Sequence, residues 1–134
     1  MTLPLVSAVA RAFAADGPLA QADPGFSPRP QQDLLAEHIA LAVERREALV
    51  AEAGTGVGKT FAYLVPLLLS GKRALVSTAT KSLQDQLFLR DLPRLAAALR
   101  VPWAQIATRL SARTAKRSGS CPVVCACCSR QRHR

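Results

Sequence analysis

The chain has 134 residues, 49% of them hydrophobic, with a net charge of +9 and a pI near 10.5. That length fits one domain able to bury about two thirds of its unfolded surface. The longest apolar run, Phe61 to Leu69, is about half a membrane span, and Met1 to Ala15 lacks the basic start of a secretory signal. These features argue against a membrane span and a secreted disulfide scaffold, and a reducing cytoplasm is the expected compartment. The charge is uneven: residues 1–91 hold nine Lys/Arg and all nine Asp/Glu, whereas residues 92–134 hold the other nine Lys/Arg and no acid. Basicity, a nucleic-acid signature when clustered, belongs here to the last third.

In chain order, residues 1–15 read as a short amphipathic or Ala-rich helix, followed by turn signals at Asp16-Gly17-Pro18 and Asp23-Pro24-Gly25. A Pro-stiffened entry, Phe26 to Pro30, leads into a helix from about Gln31 to Arg46 whose apolar face carries Leu34, Leu35, Ile39 and Leu41 with Ala42 and Val43. Leu49-Val50-Ala51 reads as a short buried strand, and Lys59 to Leu69 as a helix that Pro66 should bend. Arg73 to Thr78 reads as a second strand, then helices from Ser82 to Arg90 and Leu92 to Arg100. Strand, helix, strand, helix argues for a parallel sheet with ligands at the carboxyl ends of its strands. After Trp103 the periodicity fades into Arg, Ser, Ala and Cys.

Between the first strand and its helix lies Ala53-Gly54-Thr55-Gly56-Val57-Gly58-Lys59-Thr60. Three glycines let the backbone wrap close to a phosphate and turn N–H groups inward. The helix start adds its dipole and unpaired N–H groups. Lys59 reaches the β- and γ-phosphates and the Thr60 hydroxyl ligates Mg²⁺ in loops of this pattern. ATP with Mg²⁺ is the expected ligand.

Three segments line up with this reading: Arg29-Pro30-Gln31-Gln32 before a helix, Glu52 to Thr60 after a strand, and Ser77-Thr78-Ala79-Thr80-Lys81-Ser82-Leu83-Gln84-Asp85-Gln86-Leu87 after the next strand. Together they resemble the start of the first motor domain of superfamily 2 DNA helicases, in particular the bacterial DinG/YoaA branch related to XPD. Ala53, where the strict motif has Gly, is common in such motors. The resemblance runs from about Gly17 to Pro93. It implies an α/β fold, a RecA-like P-loop NTPase with a parallel sheet, present as part of the first motor lobe. It also implies that Gln32 contacts adenine, although a polar helix-start residue fits the same position. By the same resemblance Ser77, Thr78 and Thr80 touch the backbone of single-stranded DNA; a cap on the following helix is the competing reading. Gln84 and Gln86 either reach that strand or face solvent, and Glu52 has no derivable role.

The domain division that follows is 1–25, an N-terminal helix and turn segment; 26–103, a partial ATP-binding domain; and 104–134, an irregular basic tail, disordered or frameshifted. The acids after Thr60 are Asp85 and Asp91, and neither fits the Asp-Glu-Ala-His element that such motors use for Mg²⁺ and water. With no second lobe in view, a truncated form that turns over ATP poorly or not at all is expected. Family members carry an iron–sulfur cluster, but Cys121, Cys125, Cys127 and Cys128, two of them adjacent, lack a suitable spacing. Besides the helicase reading, a nucleotide-binding fragment without turnover and a basic nucleic-acid binder acting through its tail remain open.

Overall fold

The computed structural model describes residues 4–114 by backbone and residues 4–110 by side chain. The four cysteines and residues 115–134 lie outside the described residues.

Helix α1, Leu5–Phe13, turns Val9, Ala12 and Phe13 into the core, and its first N–H is accepted by the Glu44 carboxylate. Helix α2, Pro18–Ala22, stands where the sequence reads only turns. Pro18 is the first residue of that helix and so lies in its first turn, where proline costs no hydrogen bond. Helix α3, Pro30–Arg45, starts on Pro30 for the same reason and ends on Arg46 in the left-handed conformation.

The buried face of α3 differs from the one expected. Gln32, Ala36, Ala40 and Val43 are buried, Leu35 and Ile39 flank them, and Leu34 is exposed. Small residues at four-residue intervals let α3 lie close to α1 and α4, and the larger leucines are displaced to the rim. Helix α4, Lys59–Ser70, then buries Ala62, Leu64, Val65, Pro66 and Leu67, and Gly71 in the left-handed region ends it.

Strand β1, Ala74–Thr78, follows after three residues. Helix α5, Lys81–Gln86, runs through a wide π turn, Leu87–Asp91, into helix α6, Leu92–Leu99. Pro93 explains the wide turn: it cannot donate and crowds the carbonyl four residues back, and the Leu92 N–H closes an enlarged turn onto the Leu87 carbonyl. Helix α7, Trp103–Arg109, and strand β2, Leu110–Thr114, occupy the start of the stretch expected to be irregular. Their periodicity is faint because α7 buries a single residue, Ile106.

Strands β1 and β2 pair in parallel, with Ala74 opposite Leu110 and Thr78 opposite Thr114. The strand expected at Leu49-Val50-Ala51 does not form. Residues 47–54 carry no regular structure, Leu49 is 38% exposed and Val50 is 99% exposed. A strand satisfies its backbone only through a neighbour, and the described residues provide none for this segment: β1 and β2 form a sheet of two strands.

Candidate functional site: the loop at 53–60

Conformation and space fix the loop at its end. Gly56 and Gly58 have φ of 81° and 85°, in the left-handed region that side chains resist. A Cβ at Gly58 would also lie 2.2 Å from Gln32 Nε2. Gln32 is only 5% exposed, and its Nε2 donates to the Gly58 carbonyl at 2.9 Å. Arg29, just before α3, donates through Nη1 to the Gly56 carbonyl. The segment at 29–32 thus braces two carbonyls of the loop from the side. Arg29 carries a contact that sequence reasoning did not assign, although it stands in the Arg29-Pro30-Gln31-Gln32 segment.

With its carbonyls held, the loop leads into α4. Lys59 Nζ donates to the Ala53 carbonyl at 2.6 Å, closing the loop on itself. The N–H groups of Lys59, Thr60 and Phe61 open the helix without partners four residues back, and Gly58 has no side chain to cap them. Backbone donors, an ammonium group and a hydroxyl therefore meet at one helix start. This donor set fits a polyphosphate with a hard cation.

Thr60 adjoins Tyr63, one turn along. Burial pushes the Tyr63 phenol up, a hydrogen bond with Thr60 pulls against this, and the negative charge of Asp91 adds to it. The π turn packs against α4. Asp91 is 4% exposed, and its carboxylate accepts from Arg90 Nε at 3.0 Å and from Gln86 Nε2 at 3.4 Å. Gln86 thus points back into its own helical segment. Asp85 lies exposed on α5.

At the carboxyl end of β1, Thr78 is buried and its hydroxyl donates to the Thr80 carbonyl at 3.0 Å. The Thr80 hydroxyl accepts from the Leu83 N–H at 3.2 Å, so Thr80 caps α5. Ser77 is half-buried beside them. Helix α4 is about 18 Å long and β1 about 17 Å, and only Gly71, Lys72 and Arg73 join them. The three-residue connection is short enough for β1 to return along α4.

A cavity of about 230 Å³ lies elsewhere, between α1 and the start of α3, lined by Val9, Phe13, Pro28, Asp33 and Glu37 among others and by no loop residue. Burial, with the charge of Glu37 adding, raises the Asp33 carboxyl above its ordinary range, and its Oδ1 is buried without a partner. Acidic walls do not suit phosphate. Among the described residues, no group of three or more His, Cys, Asp and Glu is placed to hold a metal ion.

The sequence pattern of the DEAD/DEAH box helicase family matches residues 29–131, past Pro93 where the motif resemblance ends. The chain is 52% identical over 88 residues to the ATP-dependent DNA helicase YoaA of Escherichia coli (strain K12), covering 66% of this chain and 14% of that protein. It is 50% identical over 91 residues to YoaA of Haemophilus influenzae, covering 68% of this chain and 14% of the relative. To the ATP-dependent helicase DinG of Mycobacterium tuberculosis (strain ATCC 25618 / H37Rv) it is 48% identical over 75 residues, 53% of this chain and 11% of the relative. The matched region is thus about a seventh of the length of the YoaA relatives. No solved structure matches the chain.

Proposed function

The chain belongs to the DEAD/DEAH box helicase family, whose domain is a P-loop NTPase, and from that premise we propose that it holds Mg²⁺-ATP in the loop at 53–60 as the front part of a DNA helicase's first motor lobe. The observation that carries this reading is the junction of Gly58, Lys59 and Thr60, where backbone donors, ammonium and hydroxyl converge on the start of α4. In this reading Lys59 exchanges the Ala53 carbonyl for phosphate oxygens, a stronger, charge-assisted bond. Thr60 turns its hydroxyl to Mg²⁺, and Gly54 to Gly58 supply backbone N–H groups with Ala53, Thr55 and Val57 shaping the loop. Gln32 contacts adenine while it braces Gly58. Ser77, Thr78 and Thr80 meet the backbone of single-stranded DNA at the end of β1, and the pair β1 and β2 belongs to a RecA-like parallel sheet.

A second reading, nucleotide binding without turnover by these residues, is favoured by one observation. Of the two acids after Thr60, Asp91 has its carboxylate buried against Arg90 and Gln86. ATP turnover with and without single-stranded DNA separates the two readings. The cysteines lie outside the described residues, so no role in an iron–sulfur cluster is assigned to them. No helix among the described residues is long and apolar enough to cross a membrane, and a cytoplasmic setting is proposed with the DNA substrate.

Mg²⁺-ATP at about a hundredfold excess over its Kd should stabilise the fold by about 2.7 kcal/mol, read as a rise in Tm. Lys59→Ala should abolish that rise while leaving the nucleotide-free Tm within a degree or two, because Lys59 is exposed and bonds only within the loop. A wild-type chain that melts cooperatively with no response to Mg²⁺-ATP would sink the proposal.

A further inference from the structure

Four helices end at the opposite side of the molecule from the loop. Helix α4 ends at Ser70, just before β1, and α7 ends at Arg109, just before β2. The end of α3 joins them because Lys72 Nζ donates to the Val43 carbonyl at 2.9 Å. The end of α6 joins them because Val101 lines one crevice with Lys72, Arg109 and Leu110. Short connections in an α/β chain produce this convergence, since helices that return along parallel strands end where the next strand begins.

Five cations gather there, all exposed: Arg46, Lys72, Arg73, Arg100 and Arg109. The pairing of Ala74 with Leu110 puts Arg73 and Arg109 side by side at the starts of the two strands, with backbones about 5 Å apart. Arg109 Nη1 lies 3.2 Å from the position a Gly71 Cβ would take, so the guanidinium crosses directly over the turn before Lys72. Among the described residues the ion pairs are Arg90 with Asp91 and Arg94 with Asp23, and none of the five takes part in one.

Cations at helix ends have an ordinary structural use, which is to offset the negative end of the helix dipole. Each end carries about half a charge, so four ends account for about two of the five cations, and Glu47, which follows Arg46, offsets one more. About two positive charges remain. Four of the five cations are arginines, whose planar forks suit phosphate oxygens. Trp103, the chain's only tryptophan, follows Arg100 by three residues at the start of α7 and is 48% exposed. A half-exposed indole close in sequence to a basic cluster matches the pairing that single strands use, with phosphates on the cations and a base stacked on the ring.

We infer that this face, centred on Lys72, Arg73 and Arg109 with Arg46, Arg100 and Trp103, is a second contact for single-stranded nucleic acid, at the amino ends of the strands. It goes beyond the proposed contact at Ser77 to Thr80, from which it is separated by the length of β1, about 17 Å. It needs no nucleotide in the loop. A strand held at both ends of the sheet is gripped over several phosphates, without any base being read.

Trp103 gives the test its own reporter. An oligo-dT titrated into the 134-residue chain without ATP should quench Trp103 fluorescence, and salt should shift the midpoint. In Arg73→Gln/Arg109→Gln the salt slope should fall by about 1.4, at about 0.7 per single-strand phosphate. Trp103→Phe, followed by anisotropy of a labelled oligo-dT, should weaken single-strand affinity by up to tenfold. Thr80→Ala, at the other end of β1, should leave the Trp103 quench in place even where it lowers total affinity. Oligo-dT that binds by anisotropy without changing Trp103 fluorescence would overturn the inference. So would a slope unchanged in the double variant, or a blunt duplex that quenches Trp103 equally well. Arg73→Gln alone, an exposed single change, gives the same readout with half the slope change should the double variant not fold.

Discussion

Helix α4 and the segment just before the loop are both apolar in sequence, yet they fare differently in the structure. Leu64 and Val65 of α4 are fully buried, whereas Val50 is almost fully exposed. The difference lies in how each element satisfies its backbone. A helix closes its own hydrogen bonds and can then turn an apolar face to whatever neighbours exist, and α4 finds α1, α3 and α6. A strand needs a neighbour before its side chains have a face to bury. The loop at 53–60 is consequently anchored downstream by α4 and sideways by Arg29 and Gln32, while the segment upstream of it belongs to no helix or strand.

The sharpest way to test this asymmetry is to weaken the helical anchor. Leu64→Ala removes a side chain with no exposure from the middle of the core, and the expected cost is about 2–5 kcal/mol. Chemical denaturation measures it directly. A loss below about 1 kcal/mol would mean that α4 is not the element on which the fold rests. The loop would then need another support.

Next in size comes the lateral brace. At Gly58→Ala the new Cβ meets Gln32 Nε2 at 2.2 Å, and φ is 85°. Gln32 sits at the end of a flexible side chain and can retreat, at the cost of its 2.9 Å bond to the Gly58 carbonyl. Lost hydrogen bond and left-handed strain together should cost about 1–3 kcal/mol. In a Gln32→Ala background the clash disappears and only the strain remains, so the cost of Gly58→Ala should shrink by about 1 kcal/mol. Strict additivity of the two changes would show that Gln32 does not brace the loop.

Much of the loop side was legible in the sequence because its constraints are local. Glycine spacing encodes backbone conformation, and Gly56 and Gly58 do occupy the left-handed region. Helices α3 and α4 begin within a residue of where the pattern sets them, and β1 begins one residue later than expected. What escaped was everything that depends on a distant partner. The buried face of α3 is set by the close approach of α1 and α4, which selects Ala36 and Ala40 over Leu34. Strand β2 exists through its pairing with β1 more than thirty residues earlier. The capping role of Thr80 was visible as one of two readings, but the brace from Arg29 was not, since a hydrogen bond across 27 residues leaves no periodic trace.

The smallest expected effect concerns the exposed side of the comparison. Val50→Thr keeps the β-branched shape and places a hydroxyl where the valine is 99% exposed. With no apolar contact to lose, the change should stay within about 0.5 kcal/mol. Under the same denaturation conditions as Leu64→Ala, the two variants measure how far burial, rather than apolar character, decides the cost. A loss of more than about 1 kcal/mol at Val50 would mean that the segment before the loop is covered in solution. The upstream end of the loop would then be anchored after all, as the apolar run Leu49-Val50-Ala51 suggests when it is read alone.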